Sequence, residues 1–334
     1  MSGEDELNTA AELNTADELN TGAEPPTAAE PQMAAEPQMA AEPQMAAEPK
    51  RGLSRRTLIG GGLGALAVVA AAIATPIVVE QLTASHGKLV KPLLASDPFT
   101  VAHRGGSKDW PEMSMFAYQN SADHGVDALE MSLARTSDGV WFGLHDATLD
   151  RTSGTTGFVV AEHTWAEVSK YRISAAETTD PHQPTRPYLR FEELVGEFGS
   201  THTIFVDPKV VPDTHFPELL TMMRRVKNPA QTFIAKGYCT STGWARLARQ
   251  NGFQSWGYYY GSEIDSNPLL LSSTQGEWTL LGLDYGATDA AWASIRRPGK
   301  TVLGHIIPSQ KAADTARAHG ARGLVISGVT EVLG

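Results

Sequence analysis

From Phe99 to the C-terminus, short apolar runs alternate with longer stretches whose apolar residues recur at helical spacing. The runs Thr100–His103, Ala128–Leu133, Val140–His145, Thr203–Asp207, Thr232–Lys236, Ser255–Tyr260, Thr279–Asp284, Thr301–Ile306 and Gly323–Ile326 have the length and bounding residues of strands. Between them, Met115–His124, Thr164–Tyr171, Phe191–Phe198, Phe216–Val226, Gly243–Gln250 and Ser309–His319 read as helices. Strand followed by helix, many times over, predicts a parallel sheet with crossover helices. About eight such units in one domain predict an α/β fold of the TIM-type (β/α)8 barrel kind. Nine strand candidates exceed eight, and the surplus is expected at Ser255–Tyr260 or Thr279–Asp284. A doubly wound sheet is the alternative. It loses ground because the turn after the first strand, "HRGGSKDW", does not fit the G-x-G-x-x-G nucleotide fingerprint.

The pattern before Phe99 is different. Residues 1–49 repeat "ELNTA" and "AAEPQM" units and lack aromatic residues, which predicts a disordered low-complexity tail. Lys50, Arg51, Arg55 and Arg56 then precede an uncharged run, Thr57–Val79. At roughly 1.5 Å per residue that run is long enough to cross a hydrocarbon layer of about 30 Å. Ser54-Arg55-Arg56-Thr57-Leu58-Ile59 resembles a twin-arginine export motif, and Ala72-Ile73-Ala74 is a candidate cleavage site. Residues 50–80 are therefore expected to act as a signal or membrane anchor. Residues 81–98 read as a linker, and the barrel from 99 onward is expected outside the cytoplasm.

The chain carries 38 acidic and 27 basic residues, with eleven of the acids before residue 50. Beyond the tail the two signs balance, so nothing argues for a nucleic-acid partner. One cysteine, Cys239, excludes an internal disulfide.

In a barrel of this kind, chemistry gathers where the strands end. The residues closing the apolar runs are His103-Arg104, Glu130 with Ser132, His145-Asp146, Asp207 with Lys209, and Lys236. Buried ionised groups need partners, and a cation shared among the carboxylates would supply one.

The segment Val101–Gly157 contains His103-Arg104-Gly105, Pro111-Glu112, Glu130-Met131-Ser132, the Asp138-Gly139 turn, His145-Asp146, and Arg151-Thr152 with Thr156-Gly157. Together these motifs resemble the glycerophosphodiester phosphodiesterase family, and the likeness continues more loosely through Asp207-Pro208-Lys209. The resemblance implies a phospholipase C-like TIM barrel that hydrolyses glycerophosphodiesters to glycerol phosphate and an alcohol. It implies His103 and His145 as general acid and base, a role suited to imidazole. It implies Arg104 and Lys209 as phosphate ligands. Glu130 and Asp207 would hold a divalent cation, Mg²⁺ or Ca²⁺, with Ser132 as a weak neutral third ligand. Glu112 is expected to brace the first loop and Arg151 to pair with a loop carboxylate.

Ser132 stands where the family's E-x-D has a second acid, Asp207 stands for Glu, and Met113 replaces the Asn of PEN. "VLGHIIPS" and "ISGVTE" also depart from the family's usual endings. The expected consequence is weak metal binding in the empty enzyme that strengthens when substrate adds its phosphate oxygens. Two alternatives follow. One is a lysophospholipase D-like or other phospholipid phosphodiesterase, which an anchored N-terminus would suit. The other is a barrel that binds phosphodiesters but does not turn them over.

Overall fold

The computed structural model describes residues 86–334. The acidic tail and the 50–80 segment predicted as a signal or anchor lie outside the described residues. Among those described, no helix is long and apolar enough to cross a membrane.

Among the described residues, eleven strands occur in chain order: β1 (Phe99–Ala102), β2 (Ala128–Arg135), β3 (Trp141–Gly143), β4 (Arg172–Ile173), β5 (Arg186–Pro187), β6 (Thr203–Asp207), β7 (Phe233–Tyr238), β8 (Gln254–Tyr259), β9 (Leu280–Asp284), β10 (Val302–Ile307) and β11 (Gly323–Ile326). Eight of them pair in parallel in the order β1-β11-β10-β9-β8-β7-β6-β2, and β1 pairs with β2 to close the ring. The fold is a TIM-type (β/α)8 barrel, as the alternation predicts.

The surplus strand is not where the sequence suggested. Both Gln254–Tyr259 and Leu280–Asp284 belong to the barrel, and the extra strand is β3, antiparallel to β2. The reason is connection length. Five residues separate Arg135 from Trp141, too few for the crossover that a parallel neighbour requires. The Thr136–Val140 turn is closed by Thr136, which accepts from Gly139 N and hydrogen-bonds to Val140 through backbone and hydroxyl. β4 and β5 form a separate two-stranded ribbon.

Residues of one parity on a strand face one way. Phe99, Val101, Ala128, Phe205, Ile234, Trp256, Tyr258, Leu280, Leu303 and Val325 form one buried cluster drawn from all eight barrel strands. Because the cluster spans the closed ring, it fills the barrel. The opposite parity, including Leu129, Met131, Val206, Ala235 and Leu281, packs with the surrounding helices. Gly282 leaves space inside the barrel for Trp256, whose indole nitrogen lies 2.5 Å from where a Cβ would stand. Within the segment read as a linker, Val90–Ala95 is a helix, and its Val90 and Leu93 join the interior cluster.

Candidate active site

Following the inward parity toward the strand ends turns each apolar position into a polar one. Val101 leads to His103, Ala128 to Glu130 and Ser132, Phe205 to Asp207, Ile234 to Lys236, Leu280 to Asp284, and Leu303 to His305. On β2 and β6, Ser132 is in register with Asp207. The inward polar groups therefore share one mouth, as the strand-end reading of the sequence required.

His145 arrives by a different route. β2 runs past the mouth and the chain doubles back through β3, in which Gly143 is in register with Leu133. Leu144 N then donates to Ser132 O (3.1 Å), which brings His145 back beside the inward residues of β2.

After β1 the backbone turns sharply through His103–Gly105, with Arg104 at φ +52°. This left-handed conformation is uncommon for a residue with a long side chain, and it collects at functional sites. It points the Arg104 N–H at Glu130 Oε2, 2.8 Å away. Met113 also has φ +52°, and its N–H donates to Arg104 O at 2.7 Å. That conformation explains why Asn, which tolerates it better, is usual in the motif where Met113 stands.

Glu130 is wholly enclosed, and three donors reach it. Lys236 Nζ lies 2.7 Å from Oε1, Ser132 Oγ donates to the same oxygen at 3.1 Å, and Arg104 N–H takes Oε2. Burial pushes the Glu130 carboxyl up, but Lys236 and Arg104 outweigh it and hold the group below its usual range. Lys236 Nζ is also 3.3 Å from Asp207 Oδ2. Burial opposes the Lys236 charge, yet Glu130 and Asp207 raise it above its ordinary value.

The residues expected to hold a divalent cation do not fit one. An ammonium stands between the two carboxylates, Ser132 is neutral and its proton is committed to Glu130, and both Glu130 oxygens are engaged. Among the described residues, no group of three or more His, Cys, Asp or Glu side chains is placed to hold a metal ion.

The two imidazoles sit among cations. Burial, then Arg104, Lys236, His145 and Lys209, lower His103 well below the ordinary histidine range. Burial and Arg104 lower His145 to about 4, against the pull of its hydrogen bond to Asp146. His103 Nδ1 and His145 Nε2 have no hydrogen-bond partner. His145 Nδ1 is 2.7 Å from Asp146 Oδ1, which fixes the ring and leaves Nε2 for other work. The chain continues outward. Arg151 Nε donates to Asp146 Oδ2 (2.6 Å), Arg151 also donates to Glu112 and Glu177, and Glu112 accepts from Arg104 Nη1 at 3.2 Å. Glu112 thus braces the first loop and Arg151 pairs with loop carboxylates, both as expected. Arg104 is held against Glu112, and Lys209 Nζ is 3.0 Å from the Tyr258 hydroxyl. Burial, with Lys236 and Arg104 nearby, brings Lys209 down to about 8 despite Asp207.

Two mouth residues carry no role in the sequence reading. Lys236 is visible there only as a residue closing a strand. His305 lies inside "VLGHIIPS"; its position two residues after Leu303 was the available signal. Its Nε2 is 3.0 Å from Tyr259 O, and its ring packs against Trp256, Tyr258 and Tyr260. His103, Arg104, Glu130, Asp207, Lys236 and His305 are buried, whereas His145, Asp146, Lys209, Tyr260 and Asp284 keep partial exposure and mark the open edge.

Fold and site define a TIM barrel whose mouth joins paired imidazoles to a cluster of cations, an arrangement suited to an anionic ligand. Residues 103–293 match the profile of the glycerophosphoryl diester phosphodiesterase family, and the chain belongs to that family. A glycerophosphodiester phosphodiesterase of Bacillus subtilis is 30% identical over 157 residues, covering 45% of this chain and 52% of the relative. The bovine glycerophosphodiester phosphodiesterase 1 is 34% identical over 110 residues, covering 33% of each. The chain thus spans about half of the first relative's length and a third of the second's. Among solved structures, a putative glycerophosphoryl diester phosphodiesterase from Silicibacter pomeroyi superposes with a TM-score of 0.59 at 18% identity, covering 71% of this chain and 93% of that one. An Oleispira antarctica phosphodiesterase in complex with the product sn-glycerol-3-phosphate gives 0.58 at 15% identity, covering 71% and 95%. At these identities the structural likeness speaks for the fold.

Proposed function

We propose that the chain hydrolyses glycerophosphodiesters to glycerol phosphate and an alcohol, with His103 and His145 as general acid and base. The observation that carries this reading is the pair of rings, buried His103 and half-buried His145, each with an unpartnered nitrogen and both close to Arg104 and Lys209. Family membership supports the same substrate class.

The chemistry needs two proton transfers. A glycerol hydroxyl oxygen forms a bond to phosphorus while its proton passes to one imidazole. The bond from phosphorus to the departing alcohol breaks, and the other imidazole, as imidazolium, gives that oxygen a proton. Water then opens the cyclic phosphate with the roles of the rings exchanged. Burial and the neighbouring cations hold both rings toward the neutral form. A bound phosphodiester adds a negative charge next to them, which favours protonation of one ring. Asp146 supports the imidazolium form of His145 in either role. Arg104 and Lys209 bind the phosphoryl oxygens, Arg104 through a planar fork set by Glu112. No step is assigned to a metal ion. The leader around Arg55-Arg56 favours export of the barrel or its attachment to the outer face of a membrane, and such a location suits a lipid-derived substrate.

The test is a panel of glycerophosphodiesters and lysophospholipids offered to the full chain. Release of glycerol phosphate is expected. Release of a phosphorylated lipid from lysophospholipids alone would move the assignment to a lysophospholipase D-like activity. Binding with no release from any member would leave a phosphodiester-binding barrel.

A further inference from the structure

We infer that the Lys236 ammonium is the built-in cation of this site, standing where a divalent metal ion would otherwise bridge Glu130 and Asp207, and that the chain works without a divalent metal. Turnover without metal presupposes the hydrolytic reading above; the identity of the cation does not.

Position is the first ground. Lys236 Nζ is 2.7 Å from Glu130 Oε1 and 3.3 Å from Asp207 Oδ2, and all three residues are buried. A metal ion bound by both acids would need the space the ammonium fills. The second ground is the donor set. A hard divalent cation takes six or more oxygens. Here Glu130 Oε2 is taken by the Arg104 N–H, and Oε1 is shared by Lys236 and the Ser132 hydroxyl.

Charge is the third ground. Two carboxylates around one ammonium leave a single net negative charge. Three carboxylates around a divalent ion leave the same. Ser132 in place of an acid and Lys236 in place of a metal are therefore compensating changes, one on β2 and one on β7. Ser132 and Asp207 are in register on neighbouring strands. Lys236 follows Ala235, which pairs with Val206, the residue before Asp207. The three positions form one row across β2, β6 and β7.

The ammonium's other neighbours are rings and cations. Its nitrogen lies 5.7 Å from the Trp256 ring centre and 5.2 Å from that of Tyr258, and Arg104 and Lys209, both cationic, act on it as well. An incoming divalent ion would meet three fixed positive charges in a buried site, where repulsion is weakly screened. Those same three charges face the phosphoryl group, where negative charge accumulates as the bond to phosphorus forms.

The full chain, stripped with chelator and desalted, is titrated calorimetrically with Ca²⁺, Mg²⁺ and Mn²⁺ separately. No saturable binding is expected with the wild-type chain. The double variant Ser132→Asp/Lys236→Ser is expected to take up one equivalent and to melt at a temperature that rises with metal concentration. Wild-type hydrolysis should change by less than about twofold on chelation, whereas a metal supplying the phosphoryl charge would make it collapse. Uptake of one equivalent by the wild-type chain, or loss of its activity with chelator and recovery with metal, would overturn the inference. If no condition gives hydrolysis, the functional reading fails while the wild-type titration still decides the cation. That titration also decides it if the double variant does not fold.

Discussion

The floor and the mouth of the barrel are built by the same strands and the same parity, one step of two residues apart. On the floor, Val101, Phe205, Ile234 and Leu303 pack against one another. About 6–7 Å further along each strand stand His103, Asp207, Lys236 and His305. Both levels are buried, so burial does not distinguish them. What differs is the kind of interaction that holds them. The floor is a sum of small, non-directional contacts that depends on volume. The mouth depends on a few strong pairings, foremost those of Lys236 with Glu130 and Asp207, each costly to leave unmatched. A floor residue can be exchanged for one of similar size, whereas Glu130, Asp207 or Lys236 cannot lose its charge without stranding a partner.

Substitutions at neighbouring levels of one strand break or sharpen that contrast. The largest stability effect is expected from Lys236→Met, which keeps an apolar stem but leaves Glu130 and Asp207 buried without their cation. Urea unfolding should show a loss of about 3–5 kcal/mol. A loss under about 1 kcal/mol would mean that the ammonium and the carboxylates are not coupled as described.

An effect of similar kind and smaller size is expected from Glu112. Burial pushes its carboxyl up, but Arg104 and Arg151 bring it down to about 2 from an ordinary value of 4.5. The folded state therefore resists protonation more than the unfolded state does. The stability this contributes is complete above pH 4.5 and is lost as pH falls from there toward 2. Its size is about 3 kcal/mol. Unfolding measured across that range should fall steeply for the wild-type chain and less steeply for Glu112→Gln. Equal slopes would detach Glu112 from the two arginines.

The smallest effect belongs to the floor. Ile234→Val, one step below Lys236, should cost about 0.5–1.5 kcal/mol and leave turnover of the folded protein unchanged. A change in turnover would show that floor packing positions the mouth more tightly than its own hydrogen bonds do.

The barrel was legible because its period-two and helical patterns alternate for more than two hundred residues. His103, Glu130, His145 and Asp207 were legible because each closes an apolar run. The hairpin was misplaced although its signal was present, since Asp138-Gly139 marks a turn and the short link forbids a crossover. Lys236 could be seen but not interpreted. Its meaning depends on β2, β6 and β7 being neighbours, with Ser132 opposite Asp207, and strand adjacency is not written in local periodicity. The same holds for the line from His145 through Asp146 and Arg151 to Glu112 and Arg104, whose members come from two separate stretches, one after β1 and one after β3.

Phosphorus NMR of a glycerophosphodiester incubated with the wild-type, His103→Ala and His145→Ala chains tests the acid–base pair most directly. Glycerol phosphate should appear with the wild-type chain, and each single variant should slow it by about 10²–10⁴-fold while remaining folded. Wild-type-like product formation by either variant would contradict the assignment of both rings to one reaction.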